Sequence, residues 1–164
     1  MSRAATNSGI VGLGAIVDRP IEVERLVQQV ANAGAGASSL FVGTVRDSND
    51  GRPVVGIDYQ AYGPMAEREL RAIIGEARER HGTLGIAAEH RVGFLLIGEI
   101  SVAIAASHAR RGPAIDAVRY IIEQIKRRLP VWKREHYADG TREWIDPTTP
   151  FGLAVTGVGD ESHP

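Results

Sequence analysis

The chain has 164 residues, 43% of them hydrophobic and 24% charged, which are ordinary proportions for one globular domain with a single core. Its 19 basic and 20 acidic residues leave a formal net charge of -1, so no global field draws the molecule to nucleic acid or membrane, and any electrostatic function has to be local. There is no cysteine, which excludes disulfides, thiolate metal sites and a protein-bound persulfide or thiol nucleophile; if sulfur chemistry takes place here, the sulfur arrives on another molecule.

Residues 1–9, small and polar, read as a flexible tail without the apolar centre of a signal peptide. Residues 10–146 read as one folded domain, and 147–164, ending in GVGDESHP, as a second tail. With no apolar run near the ~20 residues of a membrane span, the expected location is cytoplasmic.

The first periodic segment, PIEVERLVQQVA, carries Val23, Leu26, Val27 and Val30 at helical spacing, with Pro20 suited to a first turn and Gly34 to the exit. SSLFVGTVR is β-prone, and VVGIDYQAY alternates Val55, Ile57, Tyr59 and Ala61 against Gly56, Asp58 and Gln60. DSNDGRP between these two runs is dense in turn formers, which predicts a hairpin joining them. A second helix is expected over PMAERELRAIIGEARERHG, with Ala66, Leu70, Ile73, Ile74 and Ala77 on its buried face, Pro64 at its start and Gly82 after its end. GIAAEHRVGFLLIG is again β-prone, and EISVAIAAS alternates Ile100, Val102, Ile104 and Ala106 against smaller residues, so that one face is better buried. The third helix, PAIDAVRYIIEQIKRRLP, has Ile115, Val118, Ile122, Ile125 and Leu129 as its stripe and is stopped by Pro130. Hairpin pairing with helices packed on the strands gives an α+β fold with an antiparallel or mixed sheet.

The basic residues Lys126, Arg127, Arg128, Lys133 and Arg134 flank a Leu-Pro-Val-Trp core. Helical geometry puts Lys126 at the margin of the buried stripe and Arg127 away from it. Pro130 forces the chain out of helix, and burial of Val131 and Trp132 would bring Lys133 back past the helix end, so that two ammonium groups could face one pocket. The plainer alternative is a solvated basic cluster complementing the dipole at a helix C-terminus. Arg46 ends a strand, while Arg110 and Arg111 precede the third helix, where guanidinium forks and backbone N–H groups together suit an anion. The histidines at 81, 90, 108, 136 and 163 show no metal-ligand spacing, so no catalytic metal is expected. His90, inside a strand-like run, reads as structural.

The strings FVGTVRD, IDYQAYGPMA, EHRVGFLLIGEISVAIAASHARR and IKRRLPVWKRE with GTREWI resemble the family of large, catalytic subunits of molybdopterin synthase. The resemblance runs from about residue 10 to 145, and its most specific part is the Lys-x-x-x-Pro-x-Trp-Lys-x-Glu block that starts at Lys126. It implies an α/β hammerhead-type fold and a homodimer of large subunits within a heterotetramer. Each large subunit would bind a small ubiquitin-like sulfur carrier ending in a Gly-Gly thiocarboxylate. The implied reaction is sulfur transfer from that carrier to cyclic pyranopterin monophosphate, forming the dithiolene of molybdopterin, with no cofactor.

Carried over by position, the resemblance makes Lys126 the essential lysine and Lys133 the second active-site lysine. It gives substrate contacts to Thr44, Val45, Arg46, Arg111, Arg134 and Glu135, and makes Phe41 the aromatic pocket lining. The family usually has His-Arg where this chain has Arg110-Arg111, with His108 two residues earlier; Arg110 is therefore kept as an anion-binding residue only. That departure also leaves open a low-activity paralogue serving as a scaffold for the carrier. A nucleic-acid module is disfavoured by the near-neutral charge and only two tryptophans.

Overall fold

A computed structural model describes residues 12–145, so the two expected tails, residues 10, 11 and 146 of the expected domain, and His163 lie outside the described residues. Within that span the chain forms β1 (Leu13–Val17), α1 (Val23–Gln29), β2 (Ala37–Thr44), β3 (Ser48–Asn49), β4 (Arg52–Ala61), α2 (Gly63–His81), β5 (Gly85–Arg91), β6 (Gly93–Leu96), β7 (Ile100–His108), α3 (Arg111–Arg128), β8 (Val131–Tyr137) and β9 (Arg142–Ile145). This is the expected α+β class.

The strands make two sheets. The first runs β1-β5-β7-β2; β1 and β5 are parallel, and the β5-β7 and β7-β2 pairs are antiparallel. The second runs β3-β4-β8-β9, with β6 also pairing β4, and all of its pairs are antiparallel.

α2 forms as its pattern predicts: Ala66, Leu70, Ile73, Ile74 and Ala77 are all buried, Pro64 sits in the first turn, and the Gly82 N–H donates to Arg78 O. Its stripe packs with Val118, Ile121 and Ile125 of α3 against Ile86, Ala88, Val102 and Ile104 of the first sheet. Each fully buried Leu or Ile contributes about 1.5–3 kcal/mol. The opposite face of that sheet is also covered, because Ile21, Leu26 and Val30 pack on Ala87, Ala103 and Ala105. β7 is therefore buried on both faces, where its alternation predicted one better-buried face. Small alanines are what the approach of α1 allows.

Other expectations need correction. α1 is shorter than its pattern and starts after Pro20, with Val27 exposed. In α3 the turn of the helix buries Ala114, Ala117 and Ile121, leaving Ile115 exposed and Ile122 only partly covered. In β4 the register with β8 shifts between Val54 and Gly56, so Val55 is the extra residue of a bulge and is 45% exposed while Val54 is buried.

The turn at DSNDGRP does form a hairpin, but it joins β3 to β4. Asp50 and Gly51 both have positive φ, 48° and 76°, the combination a two-residue hairpin loop requires. β2 instead pairs with β7, so the chain passes from one sheet to the other between Thr44 and Ser48. At Gly56 an added Cβ would lie 2.8 Å from the Leu95 carbonyl oxygen, so the close approach of β6 depends on the missing side chain.

Candidate active site

The two sheets leave a cavity of about 270 Å³ at their seam, near the lower end for small-molecule sites. α3 ends with Leu129 buried and bonded through its N–H to Ile125 O; Pro130 then turns the chain into β8. Strand alternation does the rest: Lys133 and Glu135 face the cavity while Trp132 and Arg134 fall on the other face. Lys126, at the end of α3, faces the same cavity as Lys133. Trp132, expected to anchor this segment by burial, is 46% exposed; Leu129 and Val131 supply the anchor.

Phe41, Thr44 and Arg46 line the cavity from β2 and its extension. Val45 points the other way, into the small core of the second sheet with Val54, Ile57, Leu95 and Tyr137. Arg134 binds Asp58 Oδ2 at 3.2 Å and stacks over Trp144, outside the cavity. Arg128 is held by Glu69 and Glu76 of α2. Of the basic cluster, Lys126 and Lys133 are the members that line the cavity.

Arg110 and Arg111 lie elsewhere, in a recess at the start of α3 with Gly36, Ala109, Gly112 and Pro113. The 18-residue helix is about 27 Å long at ~1.5 Å per residue, so within one chain these arginines and Lys126 belong to opposite ends of it. His108, the histidine nearest the departure from the family pattern, accepts the Arg110 backbone N–H on Nδ1 at 2.9 Å and so fixes the turn into α3.

The cavity's charges are unequal in their surroundings. Glu135 is 2% exposed; burial pushes its carboxyl up, but hydrogen bonds from Tyr137 (2.6 Å) and Asn49 (2.8 Å), with Lys133 Nζ 3.4 Å away, outweigh burial and hold it below the usual carboxylate value. Lys133 thus has a buried counter-charge. Lys126 has no carboxylate in ion-pair range among the described residues. Solvent reaches it along the cavity, yet protein surrounds it closely enough that desolvation, followed by the charges of Lys133 and Arg46, holds its ammonium below the usual lysine value. One lysine has a buried carboxylate beside it, while the other is biased toward giving up its proton.

Removing Arg46 removes one of the two repulsive charges, so Arg46→Ala is expected to raise the Lys126 pKa. NMR titration of ¹³C-labelled lysine would show the midpoint moving up; an unmoved midpoint would mean that Arg46 does not act on Lys126.

Tyr59, Ser101, Ser48 and Gly43 also line the cavity and carry no sequence signal as site residues. Tyr59 could have been found only through strand pairing, since it lies opposite Lys133 in the β4-β8 register. Behind it, His90 is 5% exposed, with its ring edge-on to Tyr59 at 5.4 Å. Burial pushes the His90 imidazole down to about 4, against its hydrogen bond to Arg91 O and with a further push from Lys126. Since a carbonyl only accepts, His90 Nδ1 carries the proton in the neutral ring.

Among the described residues no group of three His, Cys, Asp or Glu side chains could hold a metal ion, and no helix is long and apolar enough to cross a membrane. A cavity with three cations, one clamped carboxylate and several hydroxyls is suited to binding anions and moving protons.

The family model described as MoaE protein matches residues 16–128. A molybdopterin synthase catalytic subunit of Oryza sativa subsp. indica is 42% identical over 149 residues, covering 88% of this chain and 77% of the relative. A protein of the same name from Halalkalibacterium halodurans is 40% identical over 131 residues, covering 80% of this chain and 83% of its own length. The crystal structure of molybdopterin synthase from Staphylococcus aureus superposes with a TM-score of 0.77 at 38% identity, covering 80% of this chain and 96% of that one. With more than half of its length matched by the family model and relatives at this identity, the chain belongs to the MoaE family, whose named members here are molybdopterin synthase catalytic subunits.

Proposed function

We propose that this chain transfers sulfur from the C-terminal Gly-Gly thiocarboxylate of a small ubiquitin-like carrier to cyclic pyranopterin monophosphate, building the dithiolene of molybdopterin. The observation that carries the reading is the convergence of Lys126, Lys133 and Arg46 on one cavity in a protein without cysteine. A protein that cannot hold sulfur covalently on a thiol needs a carrier to deliver it, and both the thiocarboxylate and the substrate phosphate are anions.

The division between the lysines gives each a role. Lys133, clamped by Glu135, holds phosphate or thiocarboxylate together with Arg46. Lys126, with its lowered pKa, moves the protons that accompany attack by sulfur and opening of the cyclic phosphate. Thr44 adds a hydroxyl and Phe41 an apolar wall. Glu135 acts on Lys133, and its hydrogen bonds to Tyr137 and Asn49 leave it little capacity for direct substrate contact. In this reading Val45 and Arg134 support the strands that carry Arg46 and Lys133.

Arg110 and Arg111, a helix length from Lys126, can serve this reaction only from a second copy of the chain, and this favours the homodimer. The carrier on each copy would complete a heterotetramer. The scaffold reading based on Arg110 gains nothing from the cavity, which retains both lysines and their opposed electrostatics.

The purified protein mixed with precursor is expected to make molybdopterin only when a thiocarboxylated carrier is added. Product formed with a carboxylate-ended carrier and no other sulfur source would overturn the scheme.

A further inference from the structure

Tyr59 has no part in the scheme above, yet its surroundings are built. Its ring packs against the large core beneath α2 and α3 and also against the small core of the second sheet, so it bridges the seam at which the cavity opens. His90 fixes the ring edge-on. Its hydroxyl lies beside that of Ser101, which acts on the phenol oxygen as a donor and so leaves the phenolic O–H for the cavity. Among the described residues lining the cavity Tyr59 alone carries a phenol, and burial raises its pKa, so it stays protonated. It is a fixed, neutral donor among three cations.

A neutral donor adds little to the binding of permanent anions, because Arg46, Lys126 and Lys133 outcompete it. It becomes useful where charge appears only during reaction. The proposed reaction has such a point. Once the thiocarboxylate sulfur has bonded to a substrate carbon, carrier and substrate are joined through a thioester. Release requires water to add to the thioester carbonyl carbon, placing negative charge on its oxygen. The C–S bond then breaks; the sulfur leaves on the substrate as a thiol, the carrier leaves as a carboxylate, and one proton passes to solvent.

We infer that Tyr59 is a catalytic residue of this release step, its phenolic O–H donating to the carbonyl oxygen as that oxygen becomes an oxyanion, with Ser101 and His90 fixing its position. The inference rests on the sulfur-transfer reading. Lys126 and Lys133 act on the sulfur and phosphate; Tyr59 acts on the carbonyl.

The test is a single turnover of Tyr59→Phe, Ser101→Ala and unmodified protein with thiocarboxylated carrier and precursor, followed by intact mass of the carrier. Tyr59→Phe keeps the ring that fills the seam. It is expected to form the carrier–substrate adduct at a near-native rate and to release it about 100-fold more slowly, the usual loss for one oxyanion donor. The adduct should then accumulate. Ser101→Ala is expected to show the same split with a smaller effect and serves as the test should the Phe variant fold poorly. Native release rates in both variants, or equal slowing of adduct formation and release, would overturn the role of Tyr59. Absence of product from the unmodified protein would instead overturn the sulfur-transfer reading itself.

Discussion

Lys126→Ala is expected to lower turnover by about 10²–10⁴-fold, the range for losing a general acid or base, while fold and carrier binding persist. The side chain lines the cavity without belonging to the core, so its removal leaves the α3 stripe intact. Lys126→Arg separates the two ways a lysine can act. Guanidinium keeps the charge but does not release a proton at working pH; if proton transfer is required, the arginine variant fails nearly as badly as alanine. Near-native turnover by Lys126→Arg would make the contribution purely electrostatic. Lys133→Ala is expected to be milder, since Arg46 remains to hold the anion. Single-turnover product formation at saturating carrier and precursor checks all three variants.

The second large effect is on stability and concerns His90. In the folded protein its imidazole titrates at about 4, against an ordinary value of 6.5. Between those values the unfolded chain takes up a proton that the folded chain refuses, so stability falls as pH drops through that interval. Above 6.5 both states are neutral and there is no loss; below about 4 the loss attributable to His90 is complete, at roughly 3 kcal/mol. The groups around the ring reinforce this sign: Lys126 repels the imidazolium, and Tyr59 offers no negative charge. Replacing His90 with Gln is expected to flatten this part of the dependence. Urea unfolding of both proteins at pH 7, 5.5 and 4.5 would show the gap between them changing with acid; parallel curves would mean that His90 does not titrate as its burial dictates.

Much of this was legible from the chain alone where one local rule sufficed. The five-residue stripe of α2 and its exit at Gly82 needed only helical periodicity and a left-handed cap. Lys126 and Lys133 could be brought together because Pro130 stands between a helix and a strand and each element has a known period. What escaped depends on pairing between distant segments. The bulge that exposes Val55 and buries Val54 is a property of the β4-β8 register. A turn signal shows that the chain reverses without showing which strand precedes it; two residues of β3 are enough to pair with β4, and β2 pairs with β7. Trp132 looked like an anchor by size, but strand alternation puts it on the open face. The distance of Arg110 and Arg111 from Lys126 within one chain was, by contrast, readable from helix length.

The lysine pair sits on consecutive elements joined only by the bend at Leu129 and Pro130, which makes its spacing a local trait of the chain. Inserting or deleting a single residue in that bend would reverse the facing of β8, turning Arg134 inward and Lys133 outward. Substitutions in α1, whose cluster around Leu26 lies on the far side of the first sheet, alter stability and leave that spacing alone. The site therefore tolerates exchange of side chains in α1 but no change in the number of residues from Lys126 to Lys133.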